Sequence, residues 1–150
     1  MAARDVDQLL PLFQRLIVNY RAIEQNVLRE FGLDHLAPGD VRTLYQLRNN
    51  RTDRITSLAK KMNLTVGTLS PVIDRLVKKE LVDRERIEED RRVVEVHVTQ
   101  RGQEVCRKLE RIEQAMADRV FQRLDAEERK SLNEILTKLL ADTDEAAGKK

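Results

Sequence analysis

The chain has 150 residues, room for one domain or two small intertwined ones, and 44 of them are Leu, Ile, Val or Phe, which excludes a disordered polymer. Five Gly and three Pro are too few for the turns of a many-stranded β-sandwich, while 36% charged and 3% aromatic residues suit exposed helices. The balance of 28 basic and 26 acidic residues, +2, is too small for a general polyanion binder, and no apolar run exceeds four residues, so neither a membrane span nor a signal peptide is expected and the chain reads as cytoplasmic.

Between residues 5 and 31, Val6, Leu9, Leu10, Phe13, Leu16, Ile17, Tyr20, Ile23, Val27, Leu28 and Phe31 recur at spacings of three and four. That pattern predicts one long helix, stopped by Gly32, with Pro11 either in its first turns or kinking it slightly. Pro38-Gly39-Asp40 opens a short second helix with Val41, Leu44, Tyr45 and Leu47 inward. A one-residue strand is expected at Ile55, then a third helix capped by Thr56 or Ser57, carrying Leu58, Ala59 and Met62 and ending at Asn63. Thr65 caps a fourth helix with Val66, Leu69, Ile73, Leu76 and Val77 on its apolar face. Pro71 either bends this helix or occupies its first position behind a Ser70 cap.

From Leu81 the hydrophobic period changes to two, which predicts strands around Val82–Arg86 and Val94–Val98 joined through the charged tip Glu88-Glu89-Asp90-Arg91-Arg92. Thr99 begins a long fifth helix bearing Val105, Leu109, Ile112, Met116, Val120 and Leu124. Asp125 caps a sixth helix carrying Leu132, Ile135, Leu136, Leu139 and Leu140. The fold class is mainly α with a small antiparallel β-hairpin wing.

Helix, helix, tight turn, helix, hairpin is the order of a winged helix-turn-helix. Such a unit sends short polar side chains from the first turns of its second helix into the major groove, while basic residues there and on the wing hold the phosphates. Thr65, Thr68 and Ser70 supply the polar tips, Gly67 permits close approach, Pro71 shares their face, and Arg75, Lys78 and Lys79 supply contacts further along. Arg91 or Arg92 at the hairpin tip suits an adjacent narrow minor groove. Residues 60–79 hold Lys60, Lys61, Arg75, Lys78 and Lys79 against Asp74 alone, a pattern shared by phosphate-binding surfaces and plain solvated helix faces.

Residues 57–102, and above all Val96-His97-Val98-Thr99-Gln100-Arg101-Gly102 with its Thr-x-x-Gly ending, resemble bacterial transcription regulators of the multiple-antibiotic-resistance regulator (MarR) type. The resemblance implies that Asp90 and Arg92 form the wing's Asp-x-Arg pair, the acid orienting the arginine. It also implies an obligate homodimer built from the first and last two helices, whose long apolar stripes one small wing domain cannot cover. The expected organisation is a dimerisation helix in 1–37, a winged helix-turn-helix lobe in 38–99 and dimerisation helices in 100–150, one intertwined domain. The implied function is sequence-specific binding of an operator in double-stranded DNA by a repressor released by a small aromatic or anionic effector. A winged-helix protein-interaction module that binds no specific DNA is the alternative.

Other candidate sites give little. Cys106 cannot form an internal disulfide and reads as a small core or interface residue. His35 and His97 have no ligands at metal spacing, so no metal or cofactor is expected. Tyr20, Phe31 and Tyr45 are either core residues or the lining of an effector cleft. With no phosphate loop and no nucleophile-base set, an enzyme is not expected.

Overall fold

The computed structural model describes residues 2–88, 90 and 92–146. Six helices and three strands follow in the order α1 (Ala2–Glu30), α2 (Pro38–Leu47), β1 (Thr52–Arg54), α3 (Ile55–Lys61), α4 (Val66–Lys78), β2 (Val82–Arg86), β3 (Val94–Val98), α5 (Gln100–Phe121) and α6 (Ala126–Ala146). The architecture is mainly helical with a small antiparallel wing. The hairpin gains a third strand, because β1 pairs with the free edge of β3 to give the sheet order β1-β3-β2. The strand expected at Ile55 therefore lies at Thr52–Arg54, and Ile55 instead opens α3 with its side chain buried. Arg54 occupies the N-cap of α3 without a side-chain cap bond, so neither Thr56 nor Ser57 has that role.

Three helices stop by the same device. Gly32, Asn63 and Glu80 take positive φ of 69°, 54° and 59°, and each is followed by a leucine whose N–H reaches back to Leu28, Ala59 or Leu76 O at 2.8, 2.9 and 3.0 Å. This left-handed stop satisfies carbonyls that the helix end would leave unpaired. It also turns Leu33 and Leu81 inward, each 2% exposed. At Asn63 it produces the tight α3–α4 turn, completed by Thr65 at the N-cap of α4. Pro11 and Pro71 both lie inside helices, α1 and α4, and Ser70 is no cap: its Oγ donates to Val66 O at 2.8 Å within α4.

The chain forms two compact units, Met1–Gln114 and Ala115–Lys150. In the first, Leu44 and Leu47 of α2, Leu58 of α3, Leu69, Ile73 and Leu76 of α4, Val82, Val96 and Leu109 are fully buried. Burying a Leu or Ile contributes about 1.5–3 kcal/mol, so this cluster fixes α4 against its neighbours. Along α1, however, Leu9, Leu12, Phe13 and Leu16 are half or more exposed. In the second unit, Ile135, Leu136, Leu139 and Leu140 of α6 are likewise exposed.

Candidate nucleic-acid interface

Leu69, Ile73 and Leu76 of α4 face the core, which leaves a continuous outer stripe. Thr65, Gly67, Thr68, Pro71, Arg75 and Lys78 are all exposed on it, and Ser70 is half-buried at its edge. Thr65 Oγ1 accepts the Thr68 N–H at 3.1 Å and lies 2.9 Å from Thr68 Oγ1, so the two hydroxyls form one fixed polar corner at the helix start. A Cβ on Gly67 would approach nothing closer than Thr65 Oγ1 at 3.8 Å. The glycine is therefore not needed by the protein's own packing, and leaves that corner flat.

Arg75 is less mobile than a surface arginine. Its Nε and Nη2 donate to Asp40 Oδ1 at 3.2 and 3.0 Å, and Lys79 Nζ donates to Asp40 Oδ2 at 2.7 Å. Asp40, in the first turn of α2, has no exposed surface and also accepts the Ala37 N–H at 3.2 Å. Burial pushes its carboxyl up, but the Lys79 and Ala37 hydrogen bonds, the Lys79 charge and the Arg75 hydrogen bond together hold it below the ordinary aspartate value. One buried carboxylate thus ties α2 to α4 through two cations whose outer parts remain in solvent. Sequence reasoning missed Asp40: a lone acid in a first helical turn reads as a dipole partner, and nothing local announces cations 35 and 39 residues away.

The wing is tied to the same helix. Arg84 of β2 pairs with Asp74 of α4 at 3.2 Å. At the tip, Asp90 Oδ1 accepts the Arg92 backbone N–H at 3.0 Å, while Val93 N–H donates to Asp90 O at 2.8 Å. Asp90 therefore holds the backbone that presents Arg92, whose side chain is exposed. Arg91 lies outside the described residues. The structure brings Thr65, Gly67, Thr68, Pro71, Arg75 and Lys78 together on one helix face, and sets Asp90 and Arg92 on a separate element.

The Thr-x-x-Gly signature now has a physical account. Thr99 Oγ1 accepts the Gly102 N–H at 2.9 Å and donates to Glu80 O at 2.7 Å, while its N–H donates to Leu81 O at 3.1 Å. A Cβ on Gly102 would press into the Leu81 carbonyl oxygen and come within 2.8 Å of Val98 Cγ1. Only glycine lets α5 start this close to the chain that links α4 to β2.

Outside this surface, a cleft of about 260 Å³ between α1 and α2 is lined by Glu24, Leu28, Val41, Arg42 and Tyr45 among others. Burial, then Glu113 and Glu24, push the Tyr45 phenol up to about 12, and its OH donates to Leu109 O at 3.2 Å. Cys106 is 6% exposed in the core, where burial raises its thiol. Among the described residues no group of His, Cys, Asp and Glu is placed to hold a metal ion, and no helix is long and apolar enough to cross a membrane.

Residues 36–94, which run from two residues before α2 to the first residue of β3, match the sequence profile of the MarR family. The HTH-type transcriptional regulator MgrA of Staphylococcus aureus is 30% identical over 95 residues, 63% of each chain. Among solved structures, a mutant MarR from E.coli complexed with operator DNA is similar with a TM-score of 0.70 and 27% identity over 89% of this chain and 96% of that one. Streptococcus pneumoniae FabT in complex with DNA gives a TM-score of 0.77 over 97% and 99% of the two chains, at 24% identity, a likeness of fold.

Proposed function

We propose that the chain is a member of the MarR family, whose profile matches residues 36–94, and that it is a homodimeric, sequence-specific double-stranded DNA-binding repressor acting on a pseudo-palindromic operator. The family is one of regulators rather than enzymes. One observation carries the reading: the outer stripe of α4 presents the Thr65–Thr68 polar corner, the flat Gly67 position and the cations Arg75 and Lys78 in a single row. Short polar tips with basic residues behind them are what a helix needs to meet base edges and phosphates in a major groove. Arg92, held by Asp90, enters the neighbouring minor groove, with Arg91 beside it in sequence.

The apolar side chains left in solvent support the dimer. Residues 1–37 and 100–150 pack against a second copy, because Leu9, Phe13 and Leu16 in α1 and Ile135 and Leu139 in α6 otherwise face water. Two copies of residues 38–99 then meet half-sites about one helical turn apart. A small aromatic or anionic effector that favours a different spacing of the two α4 helices weakens binding; a coupling of about 1–3 kcal/mol gives a 5–150-fold loss. The α1–α2 cleft beside Tyr45 is the place for an aromatic one. The regulator works in the cytoplasm.

The test is a titration of the purified chain with the duplex upstream of its own gene and a scrambled duplex of equal length, at two salt concentrations. A preference of at least ~10³ with steep salt dependence is expected of a specific regulator. Equal, weak binding to both, and to other promoter fragments, overturns the proposal in favour of a winged-helix protein-interaction module.

A further inference from the structure

A second cluster of cations lies away from the outer stripe of α4, in a recess. A cleft of about 380 Å³ opens where the end of α4, the first turns of α5 and the loop after α1 converge, lined by Lys78, Lys79, Arg101, Glu104 and Lys108 together with apolar residues. Arg101, Glu104 and Lys108 stand three and four residues apart, so all three project from one side of α5. Lys79 and Lys108 Nζ donate to His35 O at 2.9 Å and Phe31 O at 3.4 Å, and Arg101 Nη1 pairs with Glu80 at 2.7 Å. Lys78 is exposed and makes no ion pair with a described residue. Four cations are opposed by Asp40, Glu80 and Glu104, and Asp40 is shared with Arg75, so the recess keeps an excess of positive charge. Its volume is near the small end for ligand pockets, which run from about 300 Å³ upward, and this calls for a compact, highly charged molecule.

We propose that this cleft binds a small polyanion, such as a phosphorylated or polycarboxylate metabolite, and that the bound anion competes with the DNA backbone for Lys78. The proposal rests on α4 being the DNA-reading helix. Lys78 ends α4 and lines the cleft at the same time, so an anion held there by Lys78, Lys108 and Arg101 removes one phosphate contact. It also places negative charge beside the phosphates that α4 approaches.

The test uses the full chain, with inorganic pyrophosphate and citrate as probes and sodium chloride at matched ionic strength as the control, read by titration calorimetry. Saturable binding of either probe supports the site, and the tighter of the two identifies phosphate or carboxylate as the favoured group. Lys108→Glu, outside α4, weakens binding by about tenfold or more, and Glu104→Gln tightens it, with melting curves confirming that both variants fold. Absence of saturable binding to the folded protein, or binding unchanged in both variants, overturns the proposal. So does a Lys108→Glu chain that loses duplex affinity while the parent binds neither probe, which assigns the cleft to DNA backbone contact. In the second arm, pyrophosphate releases a labelled operator duplex from the parent at concentrations that leave Lys108→Glu bound. If the parent binds no duplex yet pyrophosphate binding depends on Lys108, the anion site stands, and the DNA-reading premise and the competition built on it both fall.

Discussion

The buried carboxylate of Asp40 gives the sharpest prediction. Asp40→Asn keeps the size of the side chain and an oxygen for the Ala37 N–H, but removes the charge that meets Lys79 at 2.7 Å and Arg75 at 3.0 Å. Removing one member of a fully buried pair costs about 3–5 kcal/mol because the other charge is stranded. Here the stranded partners are the Lys79 and Arg75 side chains, 28% and 44% exposed, which regain water. The expected loss is accordingly smaller, about 2 kcal/mol, comparable with the loss of one or two hydrogen bonds to charged groups. For a chain of this length that lowers Tm by about 4–8 °C at pH 7. The pH dependence fixes the cause. Because the folded carboxyl lies below its ordinary value, its stabilisation is fully present above the unfolded aspartate value of about 3.9 and is lost as pH falls through the folded pKa. The gap in Tm between the parent and Asp40→Asn should therefore stay constant from pH 7 to about 5 and close only at lower pH. Differential scanning calorimetry on both proteins measures it. A gap under about 1 °C at pH 7, or one that closes above pH 5, refutes the assignment of Asp40 as the ionic tie between α2 and α4.

Gly102→Ala forces a methyl into the Leu81 carbonyl and within 2.8 Å of Val98 Cγ1; backbone does not yield as a side-chain tip would, so the urea midpoint should drop by the equivalent of about 3 kcal/mol or more. Arg92→Ala should leave Tm unchanged and weaken operator binding by about 1–3 kcal/mol, read by fluorescence anisotropy; an unchanged Kd removes the wing arginine from the interface. Leu16→Arg puts a charge at a side chain that is 55% exposed in the single chain. If α1 forms the dimer, sedimentation equilibrium should show a monomer whose operator affinity has collapsed; a dimer as stable as the parent's refutes that use of α1.

The helices were legible because their apolar residues recur every three or four positions and burial follows that period: Leu69, Ile73 and Leu76 of α4 are fully buried, as their spacing requires. The hairpin was legible from the alternation of Val94, Val96 and Val98, of which Val96 is fully buried. β1 was not, because three residues, Thr-Asp-Arg, carry no period, and they become a strand only because β3 offers a free edge opposite His97, Val96 and Glu95. The cap of α3 was misplaced for a related reason. Pairing β1 to β3 carries extended backbone up to Arg54, and a helix beginning at Ile55 leaves Thr56 and Ser57 already inside its first turn. Pro71 was ambiguous in sequence since both placements satisfy its fixed φ, and the Thr65–Thr68 hydroxyl pair favours the earlier start.

The exposed stripe of α4 was legible for the converse reason: whatever is left when the apolar period is removed must face outward. What local pattern could not supply is the set of ties that hold the stripe in position, since each joins residues far apart in the chain. Asp40 reaches Arg75 and Lys79 across 35 and 39 positions, Arg84 reaches Asp74 across 10, and Thr99 reaches Glu80 across 19. These ties act on different parts of α4. The Asp40 bridge holds its last turn to α2, the Arg84 pair links the middle of the helix to the wing, and Thr99 with Gly102 clamps the connection from its end into the sheet. A helix offered to DNA by exposed side chains alone would be free to rotate about its buried seam, and a rotation that moves Thr68 by about 1 Å is enough to take a hydroxyl out of hydrogen-bond range. Under the proposed function the outer row and its buried supports therefore work as one device, in which the residues that face outward set what is read and the ties behind them set how sharply.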